Sequence, residues 1–271
     1  MSGTRFQACC PRIPRRRSSP SAEPWPPRSP DITISQSVEL CEAQPLTTSI
    51  NGDLYRCRQG QKVIKYRASD REFRLMKKAG PCSVRPIGRV VTKDKQSGNV
   101  SVTGIIMDLA LPFDYAVISP QQRDGLAREM INLTQKLHNA QYVIHGDIKP
   151  ENMLIRRSDF RLVFCDFAQS MIRDEDPNLW EGATTTTNYL APNRDPKKAP
   201  TFVDDLYALG LSIWQLYSGR KPFASVEQDQ ILELLKQKWT VDLKVITDAP
   251  IREIVARYLS MGGATLEKGY P

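Results

Sequence analysis

The chain has 271 residues, of which 40% are hydrophobic and 25% charged, and its formal net charge is +8. This is the composition of a globular protein long enough for one large domain or two smaller lobes. No run approaches the ~20 apolar residues of a membrane-spanning helix, so an integral membrane protein is not expected. The basic N-terminal segment is not followed by the apolar core of a signal peptide, so we expect a cytoplasmic protein, with the nucleus as the alternative.

About half of the positive excess lies in residues 1–38, which are rich in proline, serine and arginine and poor in apolar side chains. Such a segment buries too little apolar surface to offset the entropy of ordering it, so we predict a disordered basic tail. The stretch "PRRRSSP" also fits a nuclear-import or phosphate-binding patch, or a phosphorylation site at Ser18 or Ser19. A solvated tail is the simpler interpretation, and the charge makes no strong case for nucleic-acid binding.

The next part of the chain, from about residue 39 to Ala110, is typical of an antiparallel sheet. Short β-like runs are separated by Gly, Asn, Lys and Ser turn signals. These runs are "LYRCR", "KVIKY", "GRVVT" and "VTGIIMDL". Between the second and third run, "SDREFRLMKKAG" predicts one short helix that has Glu72, Leu75 and Met76 on one face.

From residue 111 to 271 the periodicity becomes helical. Leu126, Met130, Leu133 and Leu137 are spaced three or four residues apart, as on one face of a helix that ends near Asn139. Three further helical segments follow, the first with a glycine stop at Gly219. These segments are "LYALGLSIWQLYSG", "DQILELLKQKW" and "IREIVARYLSM". We therefore predict a bilobal α+β fold with a cleft between a sheet lobe and a helical lobe.

Polar side chains with a shared chemistry follow the first long helix. "VIHGDIKPENMLI" carries Asp147, Lys149 and Asn152, and "RLVFCDFAQS" adds Asp166 after the next apolar run. Two hairpin-linked strands would bring these four side chains together. A carboxylate that orients a hydroxyl, an ammonium, and two hard oxygen ligands for Mg²⁺ are what phosphoryl transfer needs.

These two motifs resemble those of the eukaryotic protein kinase family. "HGDIKPEN" is similar to "HRDLKPEN", and "CDFA" is similar to the "DFG" element with Ala168 in place of the glycine. The resemblance implies a catalytic base at Asp147 and a γ-phosphate lysine at Lys149. It also implies Mg²⁺ ligands at Asn152 and Asp166.

The opening of the first motif also resembles small-molecule kinases, which phosphorylate choline or aminoglycosides. Downstream segments favour a protein substrate, because "TTTTNYLAPN" resembles the protein-kinase "GTxxYxAPE" segment. That likeness puts Thr186 between the catalytic aspartate and lysine, as in a Ser/Thr kinase. "DDLYALGLSIWQLYSGRKPF" resembles a further kinase helix, with Asp205 turned back to the amides of the catalytic loop.

In the sheet lobe the resemblance nominates an ATP site. "KVIKY" is similar to "VAIK", which implies that Lys65 holds the α- and β-phosphates and pairs with Glu72. Met107 would then be the gatekeeper behind the adenine, and the backbone of Asp108 to Ala110 would form the hinge. The implied cofactors are ATP and Mg²⁺, and the implied partner is a protein substrate; the oligomeric state stays open.

Four departures from the family pattern bear on activity. "TTSINGDL" keeps only Gly52 of the glycine-rich loop, with Thr47 and Ser49 in the other glycine positions. Gly146 replaces the arginine that clamps a phosphorylated activation segment, and Asn193 replaces the glutamate of "APE". The chain also ends at Pro271 without an evident partner for that glutamate, which suggests an abbreviated helical lobe. A pseudokinase that acts as a binding or scaffold module is therefore the alternative. The resemblance spans roughly residues 45–260 and is strongest to short, divergent kinase-like proteins of fungi.

Overall fold

The structure is a computed structural model, and it describes residues 31–49, 52–58, 60–112, 118–182 and 186–270. Two lobes are present, as predicted. The N-terminal lobe holds a six-stranded sheet and two helices, and the C-terminal lobe is mainly helical. The elements of the N-terminal lobe are β1 (Ile32–Thr33), α1 (Ile34–Leu40), β2 (Thr47–Ser49), β3 (Gly52–Arg56), β4 (Lys62–Tyr66), α2 (Asp70–Ala79), β5 (Pro86–Lys93) and β6 (Val100–Asp108).

The sheet has the strand order β1-β5-β6-β4-β3-β2, and all of its pairs are antiparallel except β1 with β5. β4 lies between β3 and β6, so that Lys65 stands opposite Leu54 on one side and Ile105 on the other. Three of the predicted strands are confirmed with shifts of a few residues at their ends, and "KVIKY" coincides with β4. A central strand therefore carries the predicted phosphate-binding lysine.

The expectation of disorder through residue 38 is wrong for Ile32 to Val38, which form β1 and most of α1. Ile32 and Ser37 are buried, and Ser37 Oγ accepts a hydrogen bond from the Tyr66 hydroxyl at 2.8 Å. Thr33 and Gln36 cap the helix reciprocally, which is the S/T-x-x-E/Q signature that the stretch "TISQ" carries. Residues 1–30 lie outside the described part of the chain.

In its described residues, the C-terminal lobe has four α-helices and several two- or three-residue strands. Its elements are β7 (Leu111–Pro112), α3 (Pro120–Asn139), β8 (Val143–Ile144), β9 (Met153–Ile155), β10 (Leu162–Phe164), β11 (Met171–Ile172), α4 (Phe202–Ser218), α5 (Gln228–Lys236), β12 (Thr240–Val241), α6 (Ala249–Met261) and β13 (Gly269–Tyr270). α4 ends at Gly219, whose φ of 72° is the left-handed conformation that glycine adopts readily. None of the helices in the described ranges is long and apolar enough to cross a bilayer.

The larger of two hydrophobic clusters in the described residues runs through both lobes. Met76 of α2, Met130 of α3, Phe164 of β10 and Trp214 of α4 belong to it, and each is almost wholly shielded from solvent. β9 and β10 form the predicted antiparallel hairpin, with Leu154 opposite Val163. The two polar motifs leave the ends of this hairpin at the boundary between the lobes, so the core fixes the position of the cleft.

Candidate functional site

A buried ion-pair triad links the sheet, helix α2 and the segment after β10. Lys65 Nζ donates to Glu72 Oε1 at 2.6 Å and to Asp166 Oδ1 at 2.7 Å. Lys65 and Glu72 are 7% and 3% exposed, whereas the Asp166 side chain keeps 21% of its surface open. The lysine is therefore held by two anions, one of which still faces the cleft.

The electrostatics of this triad favour a charged lysine. Burial alone lowers the pKa of the Lys65 ammonium, but the carboxylates of Glu72 and Asp166 outweigh that effect and the net shift is upward. Burial raises the pKa of Glu72, with Lys65 acting in the opposite direction. Burial likewise raises the pKa of the neighbouring Cys165 thiol to about 12, so this cysteine is a neutral wall of the cleft and not a nucleophile.

Asp147 is the centre of a second cluster, at the start of the loop between β8 and β9. Its Oδ2 accepts from Lys149 Nζ at 2.5 Å and its Oδ1 accepts from Thr186 Oγ1 at 2.8 Å. Lys149 Nζ also donates to Thr186 Oγ1 at 2.8 Å. Thr186 thus bridges the aspartate and the lysine, which is the arrangement that the family resemblance implies.

Asn152 closes the loop onto the same aspartate. Its Nδ2 donates to the Asp147 carbonyl at 2.8 Å and to Asp147 Oδ2 at 2.9 Å, which leaves the amide oxygen as its donor atom for a cation. Amide and carboxylate oxygens are the ligands that Mg²⁺ prefers, so the donor chemistry of Asn152 and Asp166 fits this ion.

The backbone of the loop between β8 and β9 is held by Asp205, in the first turn of α4. Asp205 is 1% exposed, and its carboxylate accepts from the amides of His145 at 2.7 Å and Gly146 at 2.8 Å. The predicted contact of Asp205 with these amides is confirmed. His138 Nε2, at 2.8 Å from Asp205 Oδ2, completes the set of partners and was missed by sequence reasoning.

His145 packs beneath Asp147. Its Nε2 lies 3.0 Å from the Cys165 carbonyl oxygen, and its Nδ1 accepts from the Asp147 amide at 3.3 Å. This pair of contacts requires a neutral ring with the proton on Nε2. Burial lowers the pKa of His145, with Asp205 and Asp147 acting in the opposite direction.

Gly146 has a φ of 79°, which disfavours any residue with a side chain. A Cβ at this position would overlap the carbonyl oxygen of Gln169 and stand 3.0 Å from Pro200 Cγ. The loop has therefore adopted a conformation that an arginine cannot take without moving the backbone. The local backbone conformation therefore requires the glycine that replaces the clamp arginine.

The segment after β11, which belongs to the predicted activation segment, is tied to α2 by an ion pair. Arg71 Nη2 donates to Glu175 Oε2 at 2.7 Å, and Arg71 Nε donates to the Leu179 carbonyl at 3.3 Å. Both side chains are more than three-quarters shielded from solvent. Arg71 is the immediate neighbour of Glu72, so this contact fixes the helix that carries the lysine's partner.

The glycine-rich-loop region forms the β2–β3 hairpin, with Thr47 opposite Leu54 and Ser49 opposite Gly52. Gly52 is buried with φ 133°, and a Cβ there would overlap the Tyr66 carbonyl and lie 3.2 Å from Lys65 Cε. The one glycine that the sequence keeps is thus the one that packs over the lysine. The hairpin tip, residues 50–51, lies outside the described residues.

The predicted hinge follows the end of β6. Met107 is 5% exposed and stands opposite Val63 of β4, as expected for a residue behind a nucleotide pocket. The Asp108 side chain turns outward to Arg85, at 2.7 Å, and the Leu109 amide donates to the Gln61 carbonyl at 2.8 Å. Ala110, the last residue of the predicted hinge, takes part in neither of these contacts.

The segment around Asn193 is anchored without the glutamate of "APE". The Asn193 amide donates to the Gly262 carbonyl at 3.2 Å, and its side chain lies against Gly263. The neighbouring Arg194 is largely buried, 3.7 Å from Asp204 and over the ring of Trp180. These contacts hold the segment in place without a carboxylate at residue 193.

The profile of the protein kinase domain matches residues 91–258. The chain belongs to the protein kinase family. The match covers the hinge, both polar motifs and the helices that support them, which confirms the resemblance drawn from the motifs.

Curated relatives are distant and longer. The chain is 30% identical over 126 residues to serine/threonine-protein kinase 1 of Lymantria dispar multicapsid nuclear polyhedrosis virus, a match that covers 45% of this chain and 43% of that protein. It is 36% identical over 108 residues to serine/threonine-protein kinase ISR1 of Eremothecium gossypii, covering 40% and 30%. The matched part thus spans less than half the length of these relatives.

A solved structure shows the same fold. The kinase PK-1 of Cydia pomonella granulovirus superposes with a TM-score of 0.58 at 19% identity, over 87% of this chain and 92% of that one. The bilobal kinase architecture predicted from the sequence is confirmed.

The structure places the predicted catalytic and metal-binding side chains in two clusters. Asp147, Lys149, Asn152 and Thr186 form one cluster, and Lys65, Glu72 and Asp166 form the other. Their chemical roles stay predictions. Sequence reasoning missed the supports His138, His145 and the Arg71–Glu175 pair, because nothing in their local sequence indicates which distant residue they meet.

Proposed function

We propose that this chain transfers the γ-phosphoryl group of Mg·ATP to a serine or threonine hydroxyl of a protein. The observation that carries the proposal is the Asp147 carboxylate, bound at the same time by Lys149, Thr186 and Asn152. A scaffold has no physical need for a carboxylate held in this way. A kinase needs it, because a positioned base must orient the attacking hydroxyl.

The chain's own residues divide the work between the two clusters. Asp147 accepts the hydrogen bond of the substrate hydroxyl, and the Lys149 ammonium offsets negative charge on the group in transfer. Lys65, fixed by Glu72, binds the non-transferred phosphates. Asn152 and Asp166 would hold Mg²⁺, which when bound neutralises charge on the phosphates.

The proposed specificity for serine or threonine rests on the contacts of Thr186 and on the similarity to serine/threonine kinases. Thr186 bonds to both Asp147 and Lys149, so the segment that approaches the substrate residue is fixed to the catalytic carboxylate. The curated relatives named above are serine/threonine kinases. Both facts favour a short hydroxyl side chain over tyrosine.

The second candidate is a nucleotide-gated binding module. Thr47 and Ser49 occupy positions where glycine lets backbone amides approach phosphates, and this favours weak ATP binding. The complete set of catalytic side chains makes it the less favoured of the two.

Thermal stabilisation by Mg·ATP tests the proposal. A ligand that binds only the folded protein raises its stability by RT ln(1 + [L]/Kd), so the wild-type Tm should rise with ATP and magnesium together. Asp166→Asn removes the anionic metal ligand and should abolish the magnesium-dependent part of that rise. Lys95→Gln, on an exposed turn, is the matched control. Equal stabilisation of the Asp166 variant would contradict the assignment of this residue.

A further inference from the structure

A groove behind the hinge lies outside the catalytic cleft. Its volume is about 720 Å³, and it is bounded by the end of α2, the loop Gly80–Pro86, the hinge strip Asp108–Ala110 and the turn Arg156–Ser158. None of the residues of the two catalytic clusters lines it. We call it the hinge-side groove.

Hydrogen bonds within the protein hold the walls of the groove in place. The Val84 amide donates to the Phe164 carbonyl at 2.9 Å, and Arg156 Nη2 donates to the Pro81 carbonyl at 2.7 Å. Met76, Val84 and Val163 close the floor and are almost wholly buried. A rigid concave surface loses little conformational entropy when a ligand binds.

The charge of the groove is strongly positive. Among the described residues, four cations line it, Lys77, Arg85, Arg156 and Arg157, against one carboxylate, that of Asp108. Arg85 pairs with Asp108 and Arg156 lies 3.5 Å from Asp159. Among the residues that the structure describes, Lys77 and Arg157 have no carboxylate partner.

We propose that the hinge-side groove is a docking site for an acidic peptide segment of a partner protein. Unneutralised cations beside the partly exposed apolar surface of Pro86 and Leu109 fit a short stretch in which Asp or Glu alternates with aliphatic residues. The chain's own N-terminal segment is a poor occupant, because residues 1–30 contain six arginines and one glutamate. The positive charge of the groove therefore disfavours binding of residues 1–30 and favours an anionic partner.

Peptide arrays test the site without relying on catalysis. We would probe the full chain against peptides of about ten residues that combine Asp or Glu with Leu and Pro, each beside its Asn and Gln counterpart. The best acidic peptide would then be measured by fluorescence anisotropy. Acidic peptides should bind more tightly than their amide counterparts, with an affinity that falls as salt rises. If no acidic peptide binds more tightly than its amide counterpart, the proposal is overturned.

Charge reversal locates the binding. The double variant Lys77→Glu with Arg157→Glu should weaken binding of the acidic peptide by about tenfold or more, because two attractive contacts become repulsive. The control, Lys95→Glu with Lys244→Glu, makes the same change in net charge at exposed positions away from the groove, and should leave affinity within about twofold. Equal losses in both variants would mean non-specific charge attraction and would overturn the site.

Hydrogen exchange gives a readout that does not depend on the folding of a variant. Bound peptide should slow exchange of the amides in residues 80–86 and 156–158 of the wild-type chain. Protection confined to residues 145–152 would place the peptide in the catalytic cleft and overturn the proposal.

Discussion

The α-carbon of Gly146 faces the carbonyl oxygen of Gln169 so closely that a side chain at residue 146 would overlap that oxygen. The same glycine has a φ of 79°, and its amide donates to Asp205 at 2.8 Å. The backbone conformation at residue 146 therefore requires a glycine, which replaces the arginine of the family pattern.

Replacing Gly146 by alanine should destabilise the protein more than the same change at a free glycine. Gly98 has a similar φ of 72° and no heavy atom within 4 Å of its would-be Cβ, so Gly98→Ala measures the conformational term alone. We expect about 1 kcal/mol for Gly98→Ala and about 2 kcal/mol more for Gly146→Ala, because the overlap forces the backbone to move. Urea unfolding of both variants is the measurement, and equal losses would contradict the close contact.

Much of the site could be predicted because its residues are contiguous in sequence. Asp147, Lys149 and Asn152 lie within six residues, and Asp166 follows one hairpin later, so local spacing carries the pattern. Arg71 and Glu175 are 104 residues apart and meet only when α2 packs near the activation segment. A single sequence gives no measure of that distance.

The fold shows the same division between local and long-range information. Apolar periodicity placed Leu126, Met130, Leu133 and Leu137 on one face of α3. The last three are buried, and Leu126 is partly buried. The short strand β1 was missed, because two residues carry no periodicity and their order comes from pairing with β5. Composition therefore assigned Ile32 to the tail when tertiary contacts place it in the sheet.

The Arg71–Glu175 ion pair should support activity without a phosphorylated activation segment. Glu175→Gln removes a partly buried charge-assisted hydrogen bond that holds α2, so kcat/KM should fall by about tenfold. The reversed pair, Arg71→Glu with Glu175→Arg, should recover part of that loss. Arg128→Gln, which breaks an ion pair between a half-exposed arginine of α3 and Asp248, is the control and should have little effect.

Phosphatase treatment completes that experiment. The wild-type rate should be unchanged by dephosphorylation, because Gly146 offers no guanidinium to a phosphate. A large loss that rephosphorylation of a residue among 184–187 restores would show that another basic residue has taken over the clamp.

Glycines in the β2–β3 hairpin should tighten nucleotide binding. Thr47→Gly with Ser49→Gly frees the backbone to approach the phosphates, and Mg·ATP affinity should improve by about 1 kcal/mol at most. Thr48→Gly, which stands between them opposite Asp53, adds loop freedom without changing a family glycine position. Calorimetry of both variants separates the effects; an equal gain in the Thr48 variant would attribute the change to flexibility alone.

His145 should make stability fall at mildly acidic pH. In the folded state the pKa of His145 is lowered below the ordinary value of 6.5. Just below that pH the imidazole is therefore protonated in the unfolded chain but still neutral in the folded chain. The stabilisation by the neutral ring is complete above this pH and declines as pH falls toward the folded-state pKa, by up to about 1.4 kcal/mol per pH unit. Urea unfolding between about pH 5 and 8 should show a steeper decline for wild type than for His145→Gln. Parallel curves would contradict a neutral buried ring.

Phosphate transfer by wild type and Asp147→Asn, side by side, tests the central claim most directly. Both proteins would be incubated with magnesium and γ-labelled ATP on an array of serine, threonine and tyrosine peptides. Asparagine keeps the size of Asp147 but removes the base, so transfer should fall by about 100-fold or more. We expect magnesium-dependent labelling of serine or threonine peptides by wild type and its near loss in the variant. Absence of labelling by wild type, or equal labelling by both proteins, would contradict an active kinase.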